Sequence, residues 1–436
     1  MRVRALIVPM LFLVAAPAQA QEEGGGLQSA ILDLFRFANC PDPLCLTVAD
    51  PNRQRDFVTA SAQGNRPLIE FLGNSIGRSV ASVPLSSASS GVIFTFEGGV
   101  PSRQDISTGP IFAERAQTLG AGRFLVGANV TAMGFSSIRG VPLDNVSFTF
   151  THQNVGAAAL GDPDFENDVI QVDLDLDVNL VVGQIFAVYG LHDRVDLGIT
   201  IPLVQTSLGG TSVGRIIPFG ASSPHHFGTA TAPTYVATAS IDESAAGIGD
   251  VAGRLKVNLS RAQVGALAFL ADVRLPTGDR ENLLGSGSLG VRGLGVLSAR
   301  WGDFSPHLNA GYQFWAEEDL TNAILATVGF DQLVRPWATF AFDLISQWQA
   351  AEGTLEIPGT VQYTEPFVRT VEPTNIPDRR DDLLDASFGF RVNHASGLRG
   401  LINALVPMND GGLRSNVVVT IGVEYNGAGP SLFGGS

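Results

Sequence analysis

Apolar and polar residues alternate with a period of two over much of this chain. In the clearest run, 168–182, six aliphatic residues alternate with polar and acidic ones: Ile170, Val172, Leu174, Leu176, Val178 and Leu180 against Gln171, Asp173, Asp175, Asp177 and Asn179. Successive side chains of a strand point to opposite faces, so this run predicts a β-strand with one apolar and one acidic face.

Similar runs recur along the rest of the chain. They lie at 121–135, 195–207, 247–258, 264–275, 288–300, 305–315, 321–332, 337–349, 383–393, 399–408 and 414–425, and with 168–190 they make twelve. Adding 92–97 and 146–151 would give fourteen. Most runs reach or exceed the roughly 9 to 11 residues that a tilted strand needs to cross a bilayer.

The connections between these runs alternate in length. Short turns are predicted at 191–194, 259–263, 301–304, 333–336 and 394–398, and mostly longer connections at 208–246, 276–287, 316–320, 350–382 and 409–413. Short periplasmic turns and longer external loops are typical of outer-membrane barrels. A soluble secreted β protein is the alternative, but a soluble sandwich has no reason to sort its loops in this way.

Composition agrees with a barrel wall. The chain is 45% hydrophobic with a mean hydropathy of +0.20, yet beyond its first twenty residues we find no apolar run of the roughly 18 residues that a spanning helix needs. Only helices and closed barrels satisfy every backbone polar group in hydrocarbon. The net charge of −15 and the single lysine, Lys256, argue against nucleic acid as a partner, because phosphate binding needs a basic surface.

The first twenty residues predict a signal peptide. Arg2 and Arg4 precede an apolar stretch, and Ala18-Gln19-Ala20 forms a small-x-small cleavage site, so the mature chain is expected to begin near Gln21. In the oxidising compartment beyond the inner membrane, Cys40 and Cys45 are expected to form a short disulfide loop, with two free thiols as the alternative. No metal site is predicted there, because two thiols without a histidine leave zinc half-liganded.

The mature chain divides into an irregular part, 21–117, a barrel, 118–425, and a tail, 426–436. A barrel of 12–14 strands is too wide for wall side chains to fill, since about eight strands is the size at which they do. We therefore predict that 21–97 folds inward as a plug that carries the cysteine loop. A periplasmic or disordered arm is the alternative.

Charged residues on the predicted strands are expected to line the lumen, because a charge on the lipid face costs roughly 2 to 4 kcal/mol near the midplane for Arg or Lys. The candidates are Asp173, Asp175, Asp177, Asn179, Arg254, Lys256, Asn258, Asp272 and Arg274. An ion network that only stabilises the wall is the alternative to a role in solute passage.

Other motifs have plain interpretations. The acidic stretch 162–168 could bind a divalent cation, but a solvated external loop is favoured. The sequence GTSVG at 210–214 resembles a nucleophile elbow around Ser212 without the required strand-to-helix turn, and GSGSLG at 285–290 resembles a dinucleotide fingerprint that a strand follows instead of a helix. His225 and His226 are assigned to a surface loop.

Four stretches resemble a known family. They are GPIFAERAQTLGAGRF at 109–124, FAVYGLHDRVDLGITIPLV at 186–204, GIGDVAGRLKVNL at 247–259 and LADVRLPTGD at 270–279. They resemble the outer-membrane transporters grouped as the MetA pathway of phenol degradation family, which are akin to long-chain fatty acid and toluene transporter barrels. The resemblance covers most of 109–425 and implies passive uptake of hydrophobic or aromatic molecules.

The sequence therefore predicts an all-β protein, a transmembrane antiparallel β-barrel of the bacterial outer membrane. It is expected to pass small hydrophobic or aromatic compounds without a cofactor and without enzymatic activity. Its expected partners are outer-membrane lipid, small apolar solutes and, during biogenesis, the barrel-assembly machinery. A structural barrel or a membrane-embedded hydrolase is the alternative, and loss of an esterase signal on Ala substitution of Ser212 or His226 would favour the hydrolase.

Overall fold

The computed structural model describes most of the chain from residue 112 onward and a few segments before it. The described residues are 26–37, 43–44, 46–48, 76, 92–97, 100–105, 112–151, 168–218, 225–229, 231–261, 265–317, 320–351, 357, 359–363, 367–394 and 396–429. The predicted signal peptide and both cysteines lie outside the described residues.

One short helix precedes a long series of strands. The elements are α1 (Leu27–Asp33), β1 (Thr47–Val48), β2 (Val92–Glu97), β3 (Val100–Asp105), β4 (Arg123–Ile138), β5 (Val141–Pro142), β6 (Val146–Phe150), β7 (Asp168–His192), β8 (Val195–Pro218), β9 (His225–Thr229), β10 (Ala232–Thr234) and β11 (Val236–Ile248). They continue with β12 (Ala252–Arg261), β13 (Gly265–Arg274), β14 (Gly290–Ala299), β15 (Phe304–Trp315), β16 (Ala323–Arg335), β17 (Ala338–Gln349), β18 (Val361–Tyr363), β19 (Arg369–Val371), β20 (Leu383–Asn393), β21 (Leu398–Pro407), β22 (Leu413–Ser415) and β23 (Val418–Ala428). Among the described residues, no helix has the length and apolarity required to span a membrane.

Twelve of these strands close into a ring. The order around the ring is β4, β7, β8, β12, β13, β14, β15, β16, β17, β20, β21 and β23. The last strand, β23, pairs antiparallel with β4 from Val419 opposite Ala132 to Ala428 opposite Arg123. The predicted antiparallel β-barrel is thus confirmed, with twelve strands. The ring ends at Ala428, so the first residues of the predicted tail belong to the last strand.

The two faces of the wall differ in polarity. Large hydrophobic side chains exposed on the outside include Val126, Val130, Val181, Ile185, Ile199, Ile201, Leu267, Phe269, Leu308, Val328, Phe388, Phe390, Ile402 and Ile421. Buried polar side chains of the same strands include Asn129, Gln184, Lys256, Asp272, Asn309, Asp331, Asp343, Arg391, Asn403, Thr420 and Glu424. A closed ring with an apolar outer band and a polar interior is the architecture of outer-membrane barrels, and the predicted location in the bacterial outer membrane is confirmed.

Two strands of the ring, β7 and β8, rise well beyond it at the end that carries the long connections, which is the external end in this class of barrel. β7 has 25 residues and β8 has 24, about twice what a bilayer crossing needs. Their outer parts pair with each other, with β11 and with β6. The prediction of one external loop at 208–246 was therefore wrong: much of that stretch is the continuation of β8 and the strands β9 to β11.

The acidic face of β7 lies on this extension and points outward. Even-numbered residues of β7 are buried, whereas Asp175, Asp177 and Asn179 are exposed, and Asp173 pairs with the exposed Arg215. The expectation that Asp173, Asp175, Asp177 and Asn179 line the lumen was wrong. The physical reason is that β7 outruns the bilayer: above the membrane its outer face meets water, so acids are stable there, and its apolar face turns inward.

Outward-facing residues of β7 provide a test of where the membrane lies. Ile185 is 55% exposed on the wall, whereas Asp175 lies on the same face of the extension. We expect Ile185→Lys to destabilise the barrel by about 2 to 4 kcal/mol, because the ammonium would lie in hydrocarbon. Asp175→Lys, the matched control, should change stability by no more than about 0.5 kcal/mol.

The measurement is the unfolding free energy in phospholipid vesicles, followed by tryptophan fluorescence in a urea titration. Equal losses for the two variants would contradict this placement of the membrane.

Candidate functional site

An apolar cavity lies at the external mouth of the barrel, where the extension meets the ring. Its lining residues are Ile31, Ile76, Leu143, Leu176, Val178, Leu208 and Leu413, and its cavity volume is small, about 10 Å³. We call it the mouth chamber. Its wall is the inner face of β7 and β8, where buried aliphatic residues follow one another from Ile170 to Val182. A cavity of this size has room for about one water molecule, so a larger apolar ligand would have to displace side chains that line it.

The segment that contains α1 closes one side of the mouth chamber. Phe35 packs edge-on against Phe148 and Phe150 of β6, with ring centroids 5.8 Å apart in both pairs. Phe37 lies 5.1 Å from Phe227. Fully burying each such ring contributes about 1.5 to 3 kcal/mol, so this aromatic cluster fixes the segment against the extension.

Ser212 ties the same segment to β8. Its hydroxyl is buried and donates a hydrogen bond of 2.5 Å to the carbonyl oxygen of Leu34. The GTSVG stretch at 210–214 is thus part of β8, the strand that anchors the helical segment. His225 is likewise buried, with Nδ1 2.9 Å from a carboxylate oxygen of Asp168, so its assignment to a surface loop was wrong.

A connection that folds inward supplies another wall. The connection between β13 and β14 is held by Asp250, whose carboxylate accepts hydrogen bonds from the backbone N–H groups of Gly278 (3.1 Å) and Ser286 (2.8 Å). This brings Leu283 and Leu284 into the apolar core of the mouth chamber. The backbone N–H of Gln28 donates to the carbonyl oxygen of Glu281 at 2.9 Å, so the connection and α1 hold each other.

The external rim is tied together by a buried ion pair. Arg139, in the turn after β4, places its Nε 2.7 Å from the Asp381 carboxylate, which also accepts a hydrogen bond from the N–H of Gly412. Next to it, partial burial acts to raise the pKa of Asp382, but hydrogen bonds from Arg380 and the N–H of Gln349 and the charge of Arg380 lower it below its ordinary value. Three external connections therefore meet at one clamp.

Below the mouth chamber, a short segment crosses the lumen near its short-turn end. We call residues 112–121 the strap. Glu114 is 2% exposed, and its carboxylate lies 2.6 Å from Nζ of Lys256 and 2.5 Å from the guanidinium of Arg254. Arg254 also bonds Asp272 at 2.7 Å. The strap thus completes a buried charge network on β12 and β13.

Polar groups of three further strands, and one more of β12, hold the strap. Arg115 forms a buried ion pair with Asp331 of β16, and Asn309 of β15 accepts a 2.7 Å hydrogen bond from the Glu114 N–H. Asn258 of β12 donates to the Ala116 carbonyl oxygen at 2.8 Å, and Ser298 of β14 accepts from the Ala116 N–H at 3.1 Å. These bonds fix the strap along one half of the barrel wall, from β12 to β16.

The end of the strap is anchored at the turn between β7 and β8. Asp196 accepts the Leu119 N–H at 3.0 Å, and Asp193 accepts the hydroxyl of Thr118 with its backbone carbonyl at 2.6 Å. A Cβ on Gly190 would lie 1.9 Å from the carbonyl oxygen of Gly120, so this position requires glycine. The four stretches that carry the family resemblance thus meet at the strap or at the inward-folded connection above it.

The structure places the predicted site residues in two groups. Arg254, Lys256, Asp272 and Arg274 lie inside the wall, and the first three belong to the strap network, whereas the four β7 residues lie outside. Glu114 and Arg115 were not among the site residues predicted from the sequence. The available signal was an adjacent pair of opposite charges within a stretch that otherwise holds small, apolar and uncharged polar residues.

The predicted plug is only partly described. Residues 26–37 pack at the external mouth, with Ile31 and Leu34 buried, and the strap lies in the lumen beyond the predicted plug limit of residue 97. The predicted disulfide between Cys40 and Cys45 lies outside the described residues. In the described part of the chain, no group of three or more His, Cys, Asp or Glu residues is arranged to hold a metal ion.

Comparisons with known proteins return solved structures alone. No family model and no curated protein matches the sequence. An outer membrane channel from Pseudomonas putida F1 is 13% identical, with a TM-score of 0.41 over 72% of this chain and 98% of that one. The TodX monoaromatic hydrocarbon channel, as a deltaS2 mutant, is 10% identical, with a TM-score of 0.33 over 72% and 93%. A FadL homologue of Pseudomonas aeruginosa is 10% identical, with a TM-score of 0.27 over 70% and 88%. The ring of strand pairs, and not these likenesses, establishes the barrel.

If the strap closes the lumen, breaking its ion pairs should change the ion conductance of the barrel. In a double variant, Glu114→Gln with Arg115→Gln, the side chains keep similar volumes but lose the charges that bind Lys256, Arg254 and Asp331. Removing one partner of a buried ion pair leaves an uncompensated charge that draws in water. We expect a higher ion conductance in planar lipid bilayers than that of the wild-type chain.

Asp33→Ala with Arg36→Ala removes an exposed ion pair between the end of α1 and the residues that follow it and serves as the matched control, with wild-type conductance expected. A double strap variant that conducts like the wild type would show that the strap does not close the lumen.

Proposed function

We propose that this protein is an outer-membrane channel for the passive uptake of small hydrophobic or aromatic compounds. The observation that carries the proposal is the mouth chamber, an aliphatic surface that faces inward above the membrane although the neighbouring outer face is acidic. Placing such a surface at the entrance favours apolar solutes, because burying apolar area yields about 25 cal/mol per Å².

Lipopolysaccharide makes the outer leaflet a poor path for apolar molecules, so a protein channel would give these molecules a way across it. The acidic outer face of the extension is stable in water, while its inner face offers an apolar surface.

We also propose that the chain belongs to the MetA pathway of phenol degradation family, because the four stretches quoted above resemble that family. Ser212 serves as an anchor for the helical segment, which leaves the alternative hydrolase proposal without its candidate nucleophile.

A matched pair of variants on neighbouring residues tests the proposal. Leu176 lines the mouth chamber, and Asp175 is exposed on the opposite face of β7. Leu176→Asn places an amide in the chamber, and an amide in apolar surroundings costs roughly 1 to 3 kcal/mol. We therefore expect uptake of radiolabelled naphthalene to fall by about fivefold or more, whereas Asp175→Asn should leave it unchanged.

The measurement uses vesicles with lipopolysaccharide in the outer leaflet, with and without the full-length mature chain. If the wild-type protein moves naphthalene no faster than protein-free vesicles do, the proposal is refuted. Equal effects of the two variants would show that the mouth chamber does not take part in uptake.

A further inference from the structure

We propose that the solute leaves the mouth chamber along the inner face of β7, between the strap and the wall formed by β4 and β7, and that Asn129 and Gln184 limit its rate there. This inference rests on the proposed function and adds to it a route, a second apolar site and the residues that separate the two sites.

The inner face of β7 is apolar on both sides of one polar position. Above it, Val178, Leu180 and Val182 belong to the core of the mouth chamber. Below it, Phe186 and Val188 form a separate buried cluster with Leu125 of β4 and Leu119 of the strap. The two apolar surfaces are therefore in line on one strand, and Gln184 alone of the inward-facing residues from 178 to 188 is polar.

Asn129 faces Gln184 across the β4–β7 pair. The two residues are in register, and Nδ2 of Asn129 donates a hydrogen bond of 3.2 Å to Oε1 of Gln184. Both side chains are buried, with 4% and 3% exposure. An apolar solute that passes this level has to slide over two buried amides to which it cannot hydrogen-bond, so the pair forms a polar barrier between two apolar sites.

The strap is bound unequally on its two sides. Toward β12 to β16 it is held by the ion pairs of Glu114 and Arg115 and by the hydrogen bonds of Asn309 and Asn258. Toward β4 and β7 it presents Leu119, whose side-chain contacts in the lower cluster are with aliphatic and aromatic groups. Contacts of that kind are not directional, and an apolar solute can substitute for them. An apolar solute can therefore replace the side-chain contacts of Leu119 in the lower cluster while the Leu119 N–H stays bonded to Asp196.

Phe186 is positioned to act at this seam. Its ring lies over Gly127 of β4, where a Cβ would be 2.5 Å from the ring Cζ. The lower cluster thus offers an aromatic face and three aliphatic side chains, which fits a flat, uncharged aromatic solute with a ring near Phe186.

Two sets of variants test the route with radiolabelled naphthalene in lipopolysaccharide-containing vesicles. Asn129→Leu with Gln184→Met keeps side-chain volume and removes the polar barrier. Because a buried hydrogen bond of this kind changes a rate by roughly 2- to 10-fold, we expect uptake to rise by about that factor. The control is Thr131→Val with Thr420→Val, which removes a 2.8 Å hydroxyl pair on the neighbouring β4–β23 seam and should leave uptake unchanged.

The second set blocks the route. Val188→Trp overfills the lower cluster and should slow uptake by about fivefold or more, while Val181→Trp, on the lipid face of the same strand, should leave it unchanged. Retained heat-resistant mobility on gels confirms that each variant is folded. If the wild-type chain transports naphthalene and neither Asn129→Leu with Gln184→Met nor Val188→Trp alters the rate, the route is overturned and the channel function stands. If the wild-type chain transports none, the channel function itself is wrong.

Discussion

The structure depends on one constraint: in hydrocarbon, every backbone N–H and C=O group of the wall must be paired within the protein. The pairing of β23 with β4 meets this constraint because it leaves the ring without an edge strand. Closure in turn fixes which side chains can face where. Odd and even residues of each strand are separated between lipid and interior, and a shift of one residue would exchange the two sets.

Closure also creates an interior that must be filled. A ring of twelve strands is wider than wall side chains alone can fill, and its inner surface carries buried charges such as Lys256, Asp272 and Asp331. Charges in such a place are stable only when they are paired. Arg254 of the wall partners Asp272, and the strap supplies partners for the other two, since Glu114 pairs with Lys256 and Arg115 with Asp331. The same ten residues therefore stabilise the interior and occupy part of it.

The proposed function rests on the difference in polarity between the two levels of the interior. At the external mouth the inner faces of β7 and β8 are aliphatic and are covered by α1 and by Leu283 and Leu284. At the short-turn end the interior is ionic on one side and apolar along β7 on the other. In the function we propose, an uncharged solute is favoured at the mouth and passes along a single strand.

The sequence by itself determined the barrel. Period-two alternation, connections of alternating length and the lack of long apolar runs are local signals, and they predicted the twelve strands because the bilayer imposes the same rule on each. The same reasoning placed Arg254, Lys256, Asp272 and Arg274 on strands where they do lie inside the wall.

Only the tertiary structure decided which face of β7 looks inward along its outer half, because alternation defines two faces without saying where the membrane ends. Asp173, Asp175, Asp177 and Asn179 look outward since water, and not lipid, surrounds that part of the strand. Sequence patterns likewise could not predict the strap. Its role arises from contacts between Glu114 and Lys256 or Arg115 and Asp331, residues that lie far apart in the chain and that only closure of the ring brings together.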